Sequence, residues 1–229
     1  ALNPSGIVPE GGQYIDADGN RYKPGDKMPE EVKMGDAYYY GDYIYRYNQT
    51  WYATASSCYS NNESQNGWGV FYRANKAIPS EMLESINEKP ITNLNLTFWL
   101  REFVTQVPRI QQGTTNLHRT FEGTSITEMP EIPKNVVIMD RAFADCKFIT
   151  TVKALPEGVK ELSHAFSDCT QLTKITNIPS TTTRLWRTFE NCVNLTDLSH
   201  LVIPKGIEST QETFLNCTSL TKAPKLEYG

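Results

Sequence analysis

No run of about 18 apolar residues occurs in this 229-residue chain, so nothing in it reads as a membrane-spanning helix. The opening ALNPSGIVPEGG has neither the basic nor the apolar region of a secretory leader. Positive charge is not in excess: 22 Lys and Arg stand against 26 Asp and Glu, for a net charge of −4. That balance argues against a nucleic-acid partner, whose binders carry basic surfaces. Cysteine is scarce and odd in number, and five thiols are too few to build a disulfide scaffold. Catalytic signatures are missing as well. There is no HExxH, GxSxG or phosphate-loop pattern, and the histidines His118, His164 and His200 share no common offset. The expectation is a protein without enzymatic activity, cofactor or metal.

What is present is repetition. Phe98, Phe121, Phe143, Phe166, Phe189 and Phe214 recur at intervals of 22–25 residues. Four residues before each Phe stands Leu94, Leu117, Met139, Leu162, Leu185 or Thr210, and immediately before it a Thr or Ala. An apolar residue followed by Thr comes after each Phe, and then a proline, from Pro108 to Pro224. A period of this length with one turn signal per copy predicts a leucine-rich-repeat solenoid, in which stacked copies bury a face that no single copy can bury. Each coil is read as two short extended segments, one near Leu-x-x-Thr-Phe and one at LTKI (172–175) and its equivalents. An Asp/Asn-Cys corner and a Pro-containing turn join them.

The N-terminal part has other signals. YIDADGNRY (14–22) and AYYYGDYIYRYN (37–48) read as hairpins turning at Asp-Gly and Gly-Asp, and GWGVFYR (67–73) adds a strand. Residues 53–66 read as a Ser/Asn-rich loop. PSEMLESINEKP (79–90) reads as a short helix, with Ser80 as N-cap, Met82 and Ile86 on one face and Pro90 as its stop. The expected organisation is a small β-rich domain over 1–78, a capping helix and linker over 79–93, and the solenoid over 94–229. The far end, APKLEYG, offers no evident cap.

Four cysteines sit at equivalent corners: Cys146, Cys169, Cys192 and Cys217. Stacked about 4.7–4.9 Å apart, they would span roughly 14 Å in a line. Tetrahedral zinc allows no pair of sulfurs to exceed about 4.6 Å. A buried structural ladder is the favoured reading and a neighbouring disulfide the alternative. Gly123-Thr124 replaces Asp-Cys in the second copy, so the repeat does not require sulfur. Cys58 lies outside the repeats. Asp16, Asp18 and Asn20 mimic the start of a calcium loop, but Arg21 and Lys27 stand where that loop needs Gly and Glu, so a hairpin turn is favoured. N-x-[ST] sequences at Asn48, Asn62, Asn95, Asn194 and Asn216 matter only in a glycosylating, secreting host.

Two groups of residues carry a functional reading. Two positions before the Phe stand Arg119, Arg141, His164 and Arg187, then Glu212, which stacking would align in a mostly basic column. Such a column needs pairing or a ligand. The first reading is pairing with Glu122, Asp145, Asp168 or Glu190, and the second is an anionic partner, with Trp186 beside the column. Aromatics including Tyr43, Tyr45 and Trp51 crowd the N-terminal sheet and are read either as its core or as a face for sugar or protein.

AFSDCTQLTKITNIPSTTTRLWRTFENCVNLT resembles the BspA-type leucine-rich repeats of bacterial surface proteins, over about residues 94–229. GDAYYYGDYIYRYN, SQNGWGVFYR and MLESINEKPITNLNLTF resemble the lead-in to such repeats in surface proteins of gut Firmicutes. The resemblance implies a secreted or cell-surface bacterial adhesion protein without catalysis. Its partner would be a surface protein or glycan of a host or neighbouring cell. The chain has few coils, not every copy carries the Cys, and it shows no wall-anchor signal.

Overall fold

The computed structural model describes residues 3–55 and 77–227. Strands β1 (Gln13–Ile15), β2 (Arg21–Tyr22), β3 (Ala37–Tyr40), β4 (Tyr43–Asn48), β5 (Thr50–Ala55), β6 (Ser85–Ile86) and β7 (Lys89–Asn93) form one seven-stranded sheet. Its order is β2-β1-β3-β4-β5-β7-β6. Both expected hairpins are present. In the first, Asp16 Oδ1 accepts the backbone N–H groups of Asp18 and Asn20, so this carboxylate organises a turn. In the second, Tyr38 pairs with Tyr45 across the Gly41-Asp42 turn. Cys58, the proposed strand 67–73 and nearly all of the proposed loop 53–66 lie outside the described residues.

The expected helix over 79–90 is a β-hairpin instead. Ser85 pairs with Pro90 and Ile86 with Lys89 around Asn87 and Glu88, both with left-handed φ of 47° and 66°. Such a two-residue turn matches the twist of its strands. The polar backbone groups of this segment are taken by side chains from the sheet. Tyr43 Oη donates to Ser80 O, Leu83 N–H donates to Tyr45 Oη, and Trp51 Nε1 donates to Ile86 O. Asp42 Oδ2 accepts the Ser80 N–H at 2.6 Å. Among the described residues no helix occurs.

Six coils follow, and their corners depart from the expected extended runs. Single bridges link the residues before each Leu, from Asn93–Asn116 through to Arg184–Ser209. The Leu-x-x-Thr-Phe run itself is a chain of tight turns. Residues two before and two after each Phe are left-handed: Arg119 and Gly123, Arg141 and Asp145, His164 and Asp168, Arg187 and Asn191, Glu212 and Asn216. The consequence for hydrogen bonding is regular. Met139, Arg141, Phe143 and Asp145 all donate forward to Glu161, Ser163, Ala165 and Ser167 of the next coil. The residues between them, Ala142, Ala144 and Cys146, donate three residues back within the coil. Ordinary strands alternate their N–H groups between two neighbours, whereas this corner sends every second N–H one way. Asp, Asn and Gly two after the Phe tolerate the left-handed region, which explains their recurrence there.

The second segments behave as expected, with β8 (Thr151–Val152) parallel to β9 (Lys174–Ile175) and β10 (Val202–Ile203) parallel to β11 (Lys225–Leu226). Inside the coils the phenyl rings form a continuous stack from Phe98 to Phe214, with centroids 5.1–5.7 Å apart. The stack joins the sheet, where Tyr43 meets Phe98 edge-on at 6.1 Å and Ala55 N–H donates to Thr97 O. One continuous apolar core runs from Val8 to Ile203.

Candidate functional site

The cysteine corners face the core. Cys146, Cys169 and Cys192 are fully buried and Cys217 is partly so. Each thiol donates to the Phe carbonyl one coil back: Cys146 to Phe121 O, Cys169 to Phe143 O, Cys192 to Phe166 O and Cys217 to Phe189 O, at 3.1–3.2 Å. The sulfurs therefore stitch coil to coil. In the second coil Thr124 donates instead to its own Phe121 O. Burial pushes the Cys146 thiol up to about 12 and the Cys217 thiol up to about 11, which disfavours the nucleophilic thiolate.

The residues two before each Phe set the column at the left-handed corners, where Arg119, Arg141 and Arg187 are half-buried and His164 is buried. Arg119, Arg141, His164 and Arg187 follow one another along it, each locked by a forward backbone bond to the next coil. Pairing accounts for two of the cations. Arg119 Nη1 is 3.5 Å from Glu122 Oε2, and Arg187 reaches both Glu190, at 3.6 Å, and Glu212. The other expected acids are engaged elsewhere. Asp145 lies 3.5 Å from Lys147, and Asp168 accepts the Asn191 side-chain amide at 2.8 Å. Arg141 has no carboxylate within 4.0 Å among the described residues.

His164 is 7% exposed. Its Nδ1 stands 3.8 Å from Glu190 Oε2, while Nε2 is buried and makes no hydrogen bond. Burial, then the charges of Arg141 and Arg187, hold this imidazole below its ordinary range, so it is neutral at neutral pH. Trp186 is 41% exposed, packs edge-on against His164 at 4.7 Å and lies beneath the Arg187 guanidinium at 5.6 Å. Burial raises the Glu122 carboxyl despite Arg119 and Arg141 nearby. Sequence reasoning missed the short Ala144 and Ser167, one after the Phe, where Glu122 and Glu190 stand in flanking coils. Comparing that offset from copy to copy would have shown the gap.

The aromatic residues of the sheet do not join this site. Tyr43, Tyr45 and Trp51 are each 0–1% exposed, with their polar tips bonded to the 80–86 segment, so as binding residues they are corrected to core. Alternation along β4 and β5 turns them inward. Tyr39 and Tyr52 stay half-buried on the opposite side of the sheet.

A family model for the BspA type leucine rich repeat region matches residues 114–225 in six copies. The repeat region belongs to that family. No curated protein matches the chain. Among solved structures, the chain is similar to a leucine-rich repeat protein from Bacteroides ovatus, with 18% identity and a TM-score of 0.50. That likeness covers 66% of this chain and 36% of the Bacteroides protein, so this chain spans about a third of it, and the likeness is one of fold. A leucine-rich repeat protein from T. pallidum follows with 18% identity and a TM-score of 0.49, covering 79% of this chain and 88% of its own. A leucine rich cell surface protein from Faecalibacterium prausnitzii has 14% identity and a TM-score of 0.29, covering 88% and 97%.

Proposed function

We propose that this BspA-type protein is a non-catalytic recognition protein acting outside the cell or on its surface. It binds a protein or glycan of a host or neighbouring cell through the outward column Arg119, Arg141, His164, Trp186 and Arg187. The observation that carries the reading is Arg141, whose backbone is held on a stacked ladder and whose cation is left without a carboxylate within 4.0 Å. A backbone held this way lowers the ordering cost of binding and leaves only the side chain to settle on a complementary partner. The N-terminal sheet acts as the cap of the first coil, supported by the Tyr43–Phe98 contact and the Ala55–Thr97 backbone bond. Sheet and coils share one core, so the test uses the intact chain. A panel of host matrix proteins and glycans is bound with wild type and with the Arg119→Gln, Arg141→Gln, Arg187→Gln triple variant. Loss of binding in the triple variant is expected, and full retention would overturn the reading. A second reading, sugar binding by the sheet, rests on the half-buried Tyr39 and Tyr52. It gains only if Tyr39→Ala and Tyr52→Ala abolish binding while the arginine variant retains it.

A further inference from the structure

Along the corner, the position after the Phe carries Glu122 in the second coil and Glu190 in the fifth, but Ala144 and Ser167 between them. Both short residues are 3% exposed, so the third and fourth coils offer no carboxylate there. Ser167 Oγ is spent on His164 O. Arg141 and His164 flank this gap and influence one another electrostatically. A buried ring nitrogen with no partner, as at His164 Nε2, is costly unless a ligand supplies one. The arginine fork fits the two oxygens of a carboxylate.

One coil further on, Trp186 presents a broad apolar ring, fixed by His164 on its edge and Arg187 at 5.6 Å. An unmatched cation, an unmatched polar nitrogen and an exposed aromatic within neighbouring coils fit one chemistry. Neutral sugars would leave Arg141 unmatched, and a simple anion would leave the indole unused. We infer that the gap between Arg141 and His164, with Trp186 beside it, is a subsite for a carboxylate-bearing sugar of an acidic glycan. The carboxylate meets the Arg141 guanidinium and accepts from His164 Nε2 on a turn of the imidazole that uncovers this buried nitrogen, and the C–H face of the sugar rests on Trp186. Arg119 and Arg187, already paired with Glu122, Glu190 and Glu212, stand at the rim.

This assignment deepens the reading that the repeat face is the recognition surface. Isothermal titration of the intact chain with a glucuronate-containing hexasaccharide from hyaluronan tests it, alongside the same hexasaccharide after reduction of its carboxylates. The acidic form should bind, and the reduced form should bind about tenfold or more weakly. Arg141→Gln, His164→Gln and Trp186→Ala should each cost about tenfold or more, while Lys153→Gln, an exposed cation on another face, should bind as wild type does. Equal affinity for the two sugars, or no binding of the acidic one, would overturn the subsite. In that case, loss of a protein partner in the triple arginine variant would still support the broader reading.

Discussion

Phe166→Ala removes a ring from the middle of the stack. Phe166 is 0% exposed and lies nearly parallel to Phe143 at 5.5 Å and to Phe189 at 5.7 Å. A buried Phe→Ala change costs about 3–5 kcal/mol, because lost transfer energy adds to the cavity left behind. The neighbouring rings are held by forward backbone bonds on both sides, so the coil has little room to collapse. Phe214 supplies the internal control. It is only partly buried and stacks on a single ring, Phe189, at 5.6 Å. Its truncation should cost about half as much or less. For a chain of this size each kcal/mol moves the melting temperature by about 2–4 °C, so Phe166→Ala should lose about 6–20 °C. Urea unfolding with unchanged slope would show that both variants lose stability rather than change the extent of unfolding. Equal losses at Phe166 and Phe214, or less than about 1 kcal/mol at Phe166, would refute a core built by stacking.

Other outcomes follow from the corners. Gly123→Ala should destabilise, because φ is +74° and the added methyl would sit 2.8 Å from Leu100 Cδ2; the expected loss is about 1–3 kcal/mol by thermal unfolding. Thiol labelling of the native chain at pH 8 should modify Cys217 before Cys146, Cys169 or Cys192, read by peptide mass spectrometry, since Cys217 alone of these four is partly exposed. For His164 the folded chain holds the proton less readily than the unfolded chain does. Its contribution to stability is therefore complete above the unfolded value of about 6.5 and is lost as pH falls below it. Between pH 7 and 5 the melting temperature of wild type should fall more than that of His164→Gln.

The repeat was legible because a solenoid spends the same residue types on the same positions in every coil. Phe, the small residue before it and the apolar-Thr pair after it each fill one place in the stack. The left-handed corner was only half legible. Asp145, Asp168, Asn191, Asn216 and Gly123 are residue types that suit positive φ, but Arg119, Arg141 and Arg187 are not. Their conformation is imposed by bonds to the next coil, which a single copy does not display. Non-local contacts also decide the 79–90 segment. Met82 and Ile86 satisfy a helical spacing, yet tyrosine and tryptophan tips from β4 and β5 bind the backbone that a helix would have bonded to itself. The same contacts take Tyr43, Tyr45 and Trp51 out of the candidate site. The basic column was visible as a periodic offset, while the missing carboxylate beside Arg141 emerged only when the acids were seen to bond elsewhere.

The claim that the repeat face is the recognition surface is tested most directly by arginine footprinting. The chain is treated with phenylglyoxal with and without a bound partner from the binding panel, and each arginine is quantified by mass spectrometry. Strong protection of Arg141 is expected, with weaker protection of Arg119 and Arg187, while the exposed Arg21 and Arg46 of the sheet react unchanged. Protection at Arg21 or Arg46 with Arg141 still reactive would contradict it.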